Sequence, residues 1–99
     1  MERVNVRLYV SAVCRDGDVS GSLMTTHPGV PQAGAVFLFD DDAGEVPHHV
    51  HPGGVRYDFA RDLATVRCAP VMVFADKTME EAKRWYARRH ITVTEVARA

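Results

Sequence analysis

The chain reads as a small α+β domain. A mixed, mostly antiparallel sheet of five or six strands carries one C-terminal helix, about residues 78–90, on one face and closes with a β-α-β unit. Three observations lead there. Apolar and polar residues alternate at period two over several segments, and one later stretch shifts to helical spacing behind a capping signal. The chain then returns to period two with neither Gly nor Pro between. Ninety-nine residues make a single domain, 1–99, long enough to bury a core and too short for two.

The first strand is Val4, Val6, Leu8, Val10 and Ala12 alternating with Asn5, Arg7, Tyr9 and Ser11, one face dry and one wet. Asp16-Gly17-Asp18 ends it with a hairpin signal. Val19 to Thr26 returns as a second strand, weakened by Ser20, Gly21 and Ser22. His27 to Gly34, with two prolines and two glycines, reads as a loop. Ala35-Val36-Phe37-Leu38-Phe39 is a short apolar run of the kind buried on both faces, and it stops at the acidic turn Asp40-Asp41-Asp42-Ala43-Gly44. Val55, Tyr57 and Phe59 mark another amphipathic strand, and Arg61-Asp62 turns the chain.

A longer strand is expected over 64–75, with Pro70 forcing a bulge or an edge position. Its end, Val71-Met72-Val73-Phe74-Ala75, is the most hydrophobic stretch and should be central. Thr78-Met79-Glu80-Glu81 has the capping-box form, and Met79, Ala82, Trp85 and Tyr86 fall on one helical stripe. Glu80 and Arg84 are placed to pair, and Arg88, Arg89 and His90 suit the negative end of the helix dipole. Ile91 to Val96 is the last strand, expected beside residues 71–75 and parallel to them. One helix covers only part of such a sheet, so the other face is expected to close into a partial barrel or to meet a second copy.

Charge is segregated. Residues 1–15 sum to +2, residues 16–62 to −6 and residues 63–99 to +3, which gives the net −1. That balance favours a polar partner or self-association over a broad nucleic-acid footprint. No apolar h-region opens the chain and no run approaches a membrane span. Cys14 and Cys68 sit in apolar, strand-like segments outside any Cys-x-x-Cys pattern. They read as buried thiols in a reducing cytoplasm.

Three places invite chemistry. The first is Pro47-His48-His49-Val50-His51-Pro52-Gly53-Gly54, read as a Pro- and Gly-bounded loop. In extended backbone His49 and His51 point to one side, about 7 Å apart at Cα, a spacing that can chelate one ion. His48 is a lesser third ligand, and a transition metal is the cofactor this reading implies. Asp58 is the nearest downstream carboxylate for a two-His-one-carboxylate site. Gly44, His49 and His51 resemble in outline the first cupin motif, in which a glycine precedes His-x-His and an acid follows. The likeness is confined to this segment. Gly54-Val55-Arg56 stands where the glutamate belongs, and no family is assigned.

The second place is a general acid–base pair. His27 begins a second His-Pro-Gly turn and would join His49, His51 or Asp58 if the two turns share one end of the sheet. The third is the basic helix end, where Arg84, Arg88 and Arg89 stand with Trp85 as a surface for phosphate or an acidic protein. Elbow motifs, phosphate-binding glycine patterns and the spacing of a calcium loop are absent from the sequence.

The leading expectation is a cytoplasmic binding or regulatory module, a homodimer that meets a protein partner through its sheet face or helix end. A His49/His51 metal protein or histidine-dependent enzyme is the alternative. Nucleic-acid binding through the helix end stands third.

Overall fold

Strict alternation in the first segment forces extended backbone with one dry face. In the computed structural model, which describes residues 3–41 and 44–98, it forms β1 (Arg3–Cys14). Val4, Val6, Leu8, Val10, Ala12 and Cys14 are all buried, while Arg3, Asn5 and Arg7 are exposed. Arg15 and Asp16 turn the chain into β2 (Gly17–Pro28), which pairs antiparallel with β1 over its whole length.

The other strands are β3 (Val36–Asp41), β4 (Gly44–Asp58), β5 (Leu63–Cys68) and β6 (Thr92–Arg98), with helix α1 (Met79–Arg88) before the last. They form one mixed six-stranded sheet in the order β3-β4-β5-β1-β2-β6, in which only β1 and β5 pair in parallel. Helix α1 lies against β2, β6 and β1. It buries Met79, Ala82, Trp85 and Tyr86 on the face of the sheet that carries Val6, Leu8 and Val19.

Its start is held twice. Thr78 Oγ1 accepts from the Glu81 backbone N–H at 3.3 Å, and the hairpin-turn residue Asp16 accepts from that of Met79 at 2.8 Å. Glu80 pairs with Lys83 at 3.0 Å, where the spacing had pointed to Arg84.

Four local expectations are corrected. The histidine segment is strand, not loop: β4 runs through it, setting Pro47 opposite Leu38, His48 opposite Phe37 and His49 opposite Val36. Strand β3 is an outer strand with one open face, since Val36 and Leu38 are 42% and 59% exposed while Phe37 and Phe39 pack inward. Asp42 and Ala43 of the acidic turn lie outside the described residues.

The stretch 71–75 is not a central strand. Pro70 has no N–H to give, so the ladder stops at Cys68, and Val71 makes a single parallel bridge to Ala12. The chain then turns, sending Val71 and Phe74 inward and leaving Met72 and Val73 61% and 49% exposed.

The last strand, finally, does not lie beside residues 71–75. Strand β1 already has a neighbour on each side, and β6 pairs antiparallel with the free edge of β2. The β5-α1-β6 unit therefore passes over β1 and β2. Two glycines of β2, Gly21 and Gly17, make this seat. A Cβ on Gly21 would meet Ile91 Cγ2 at 2.7 Å and the Thr92 carbonyl at 2.8 Å. One on Gly17 would run into the Ala97 carbonyl and meet Met79 Sδ at 2.7 Å.

Between Val50 and Val55 the register of β4 against β5 shifts. The β3–β4 hairpin beyond that irregularity packs on the C-terminal half of α1. Phe39 meets Trp85 edge-on with centroids 6.1 Å apart, and Arg89 Nε donates to the Asp40 carbonyl at 2.6 Å. One face of the sheet is thus roofed by a helix and a hairpin. The other is open.

Candidate functional site

Period-two alternation along β4 separates the clustered histidines. Val46, His48 and Val50 are buried and His49 and His51 exposed. His48 is fully enclosed between Phe39, edge-on at 4.9 Å, and Trp85, stacked at 6.2 Å. Its Nδ1 lies 3.3 Å from the Val46 carbonyl, which can only accept, so Nδ1 carries the proton and Nε2 is bare. No described side chain or backbone group partners Nε2. Burial holds its pKa below the ordinary value of 6.5, the nearby His49 adds to this, and the Val46 carbonyl opposes it. His48 therefore belongs to the core, on the opposite face from its two neighbours.

His51 closes its ring onto its own loop, Nδ1 donating to the Pro52 carbonyl at 2.8 Å. Asp58 caps the turn after β4. Its Oδ1 accepts from the Ala60 and Arg61 N–H groups at 3.0 and 3.2 Å, and its Oδ2 faces Arg61 at 3.6 Å. His27 pairs across from Val4 at the far end of β2, with its ring 5.6 Å from that of Phe37 and its Nδ1 3.0 Å from the Gly29 carbonyl. His51 lines the same cavity as Tyr9 and Ser11 of β1, whereas His27 lies opposite Val4 near the start of that strand. Among the described residues no three His, Cys, Asp or Glu side chains gather where they could hold a metal ion.

The basic helix end is partly committed. Trp85 is buried among Phe39, His48, Phe74 and Tyr86, and Arg89 lies over its ring at 4.0 Å while bonding the Asp40 and Trp85 carbonyls. Arg84 and Arg88 stay exposed. Both cysteines are buried free thiols, and burial pushes Cys68 up to about 11 and Cys14 upward as well, the latter helped by Asp16, Asp18 and Glu81. Neither is a ready nucleophile.

Strand pairing assembles a different set on the open face, one for which sequence spacing gave no sign. Arg7 of β1 and Arg56 of β4 both lie opposite Thr65 of β5, while Arg67, one pair further along β5, lies opposite Tyr9. A cavity of about 430 Å³ is bounded by Tyr9, Gly53, Gly54, Arg56, Thr65 and Arg67. It adjoins a second, of about 670 Å³, that shares Tyr9 and Arg67 and continues past Ser11, Ser20 and His51 to Glu95 of β6. The irregular part of β4 forms one wall. A Cβ on Gly54 would meet the Arg67 carbonyl at 2.7 Å, so glycine is what lets that wall close on β5. Among the described residues neither Arg56 nor Arg67 is paired with a carboxylate.

No family model matches the chain, and no curated protein or solved structure matches it significantly. None of the described helices is long and apolar enough to cross a membrane.

Proposed function

We propose that this protein is a binding module and that the open face of its sheet is the recognition surface. One observation carries the reading. The only concavity that spans five strands, among those described, lies on that face and is lined by guanidinium, phenol, hydroxyl, imidazole, carboxylate and backbone groups. Such groups hold a partner by hydrogen bonds and charge.

The test is amide NMR mapping with a panel of acidic peptides, mononucleotides and short oligonucleotides. Saturable shifts should fall on β1, β5 and the 51–56 wall, and Arg67→Glu should abolish them. Shifts confined to Arg84 and Arg88 would move the surface to the helix end. Shifts at His49 and His51 only on adding zinc or iron(II) would favour the metal reading.

Self-association is the second reading, favoured by the exposed Val36 and Leu38 on outer strand β3. An isologous contact through the open face would set the same arginines against one another, whereas β3 offers an apolar stripe. Light scattering decides it: a dimer converted to monomer by Leu38→Lys supports this contact, and a monomer at high micromolar concentration removes it.

A further inference from the structure

We infer that the arginine end of the open face binds a small nucleoside phosphate, its phosphate between Arg56 and Arg67 and its heterocycle on Tyr9. The inference rests on the open face being the recognition surface, and it names the ligand.

The register builds a phosphate seat. Arg56 lies opposite Thr65, and Arg67 is two residues further along the same strand. Such diagonal neighbours on antiparallel strands stand about 7–8 Å apart, within reach of one tetrahedral anion for two long side chains. Arg7 lies opposite Thr65 on the other side, but its Nε is 3.4 Å from Met24 Sδ of β2 and it does not line the cavity, so the seat is made by Arg56 and Arg67. Thr65 lines the cavity and brings a hydroxyl able to donate. Among the described residues no carboxylate lines this cavity, so its cations are not already spent on acids there.

Tyr9 is half-buried and lines both cavities, which puts an aromatic ring immediately next to the phosphate seat. Stacking on such a ring is tolerant of which base is offered. The volume of about 430 Å³ suits a small molecule.

A polymer fits less well. Beyond Tyr9 the groove runs on to Glu95 of β6, three strand spacings or about 14 Å from β5. A second or third phosphate carried across β1 and β2 would approach that carboxylate, while an exocyclic amine on the heterocycle would be welcomed by it. The charge polarity of the groove, cationic at one end and anionic at the other, therefore matches a short ligand with one anionic end.

The experiment is calorimetric and NMR titration with inorganic phosphate, ribose 5-phosphate, the common ribonucleoside 5′-monophosphates and a short single-stranded oligonucleotide. The monophosphates should bind at least about tenfold more tightly than ribose 5-phosphate. Arg56→Ala and Arg67→Ala, both at exposed positions that leave the melting temperature unchanged, should each weaken them by about tenfold. Tyr9→Leu, which keeps an apolar side chain at this half-buried position, should reduce them to the level of ribose 5-phosphate.

Absence of saturable monophosphate binding at millimolar concentration overturns the inference. So does binding indifferent to both arginine substitutions, or an oligonucleotide that binds far more tightly than any monomer. Open-face shifts with acidic peptides but none with monophosphates would sink this ligand and leave the recognition surface standing. A silent open face with every compound would sink both.

Discussion

Replacing the enclosed histidine by leucine, His48→Leu, should remove a defined part of the protein's pH dependence. His48 is 0% exposed, its Nδ1–H is committed to Val46, and its Nε2 has no partner among the described residues. Protonation there would create a buried charge with a second donor that nothing described accepts. Burial, aided by His49 and opposed by Val46, thus holds the folded-state pKa below 6.5. In the window between that lowered value and 6.5, the unfolded chain binds more protons than the folded one. The contribution to stability is complete above about pH 6.5 and is lost as pH falls through the window, at no more than about 1.4 kcal/mol per pH unit.

At neutral pH the two proteins should differ little. Leucine gives up the ring contacts to Phe39 and Trp85, worth about 1 kcal/mol, and relieves an unpartnered nitrogen worth about as much. The discriminating quantity is the slope. Urea unfolding of both proteins from about pH 7.5 to about pH 4.5 gives a difference in which every shared titration cancels. The native protein should lose ground to His48→Leu as pH falls below 6.5. Parallel curves, or a native protein that gains on the variant at low pH, would refute the enclosure of His48 described above.

Gly21→Ala should destabilise by about 1–3 kcal/mol, because its Cβ enters the Thr92 carbonyl and Ile91 and must push β6 from β2; urea unfolding reads it. Thr78→Ala and Asp16→Ala should each cost about 1 kcal/mol by freeing a helix N–H, and their costs should add within about 0.5 kcal/mol in the double variant, since they serve different donors. Trp85→Ala should cost about 3–5 kcal/mol and release the β3–β4 hairpin, seen as faster amide exchange at Phe37 and Phe39 ahead of the rest of the sheet.

How much of this was legible depends on the range of the interaction behind each feature. The alternation of Val4 to Ala12 and the stripe of Met79, Ala82, Trp85 and Tyr86 are local patterns, and both elements formed where those patterns lie. The hydrophobicity of Val71 to Ala75 was a poor guide, because Pro70 ends the ladder and only Val71 and Phe74 find the core. The three histidines misled in a similar way. Adjacency in sequence suggested one site, but a strand sends His48 to one face and His49 and His51 to the other. Arg7, Arg56 and Arg67 gave no signal because they are scattered among ten arginines.

The sequence by itself determined the α+β class, the β1–β2 hairpin, the capped helix and the return to strand. Each follows from interactions within a few residues: side-chain period, turn chemistry and satisfaction of helix-end donors. Only the tertiary structure decided that β6 joins β2, that β4 carries the histidines through the sheet, and that Tyr9 and the arginines of three strands share one open face. Strand pairing brings together residues some sixty positions apart, such as Tyr9 and Arg67, and its register is set by burying the opposite face. The composition of the open face is therefore a consequence of how the core was packed.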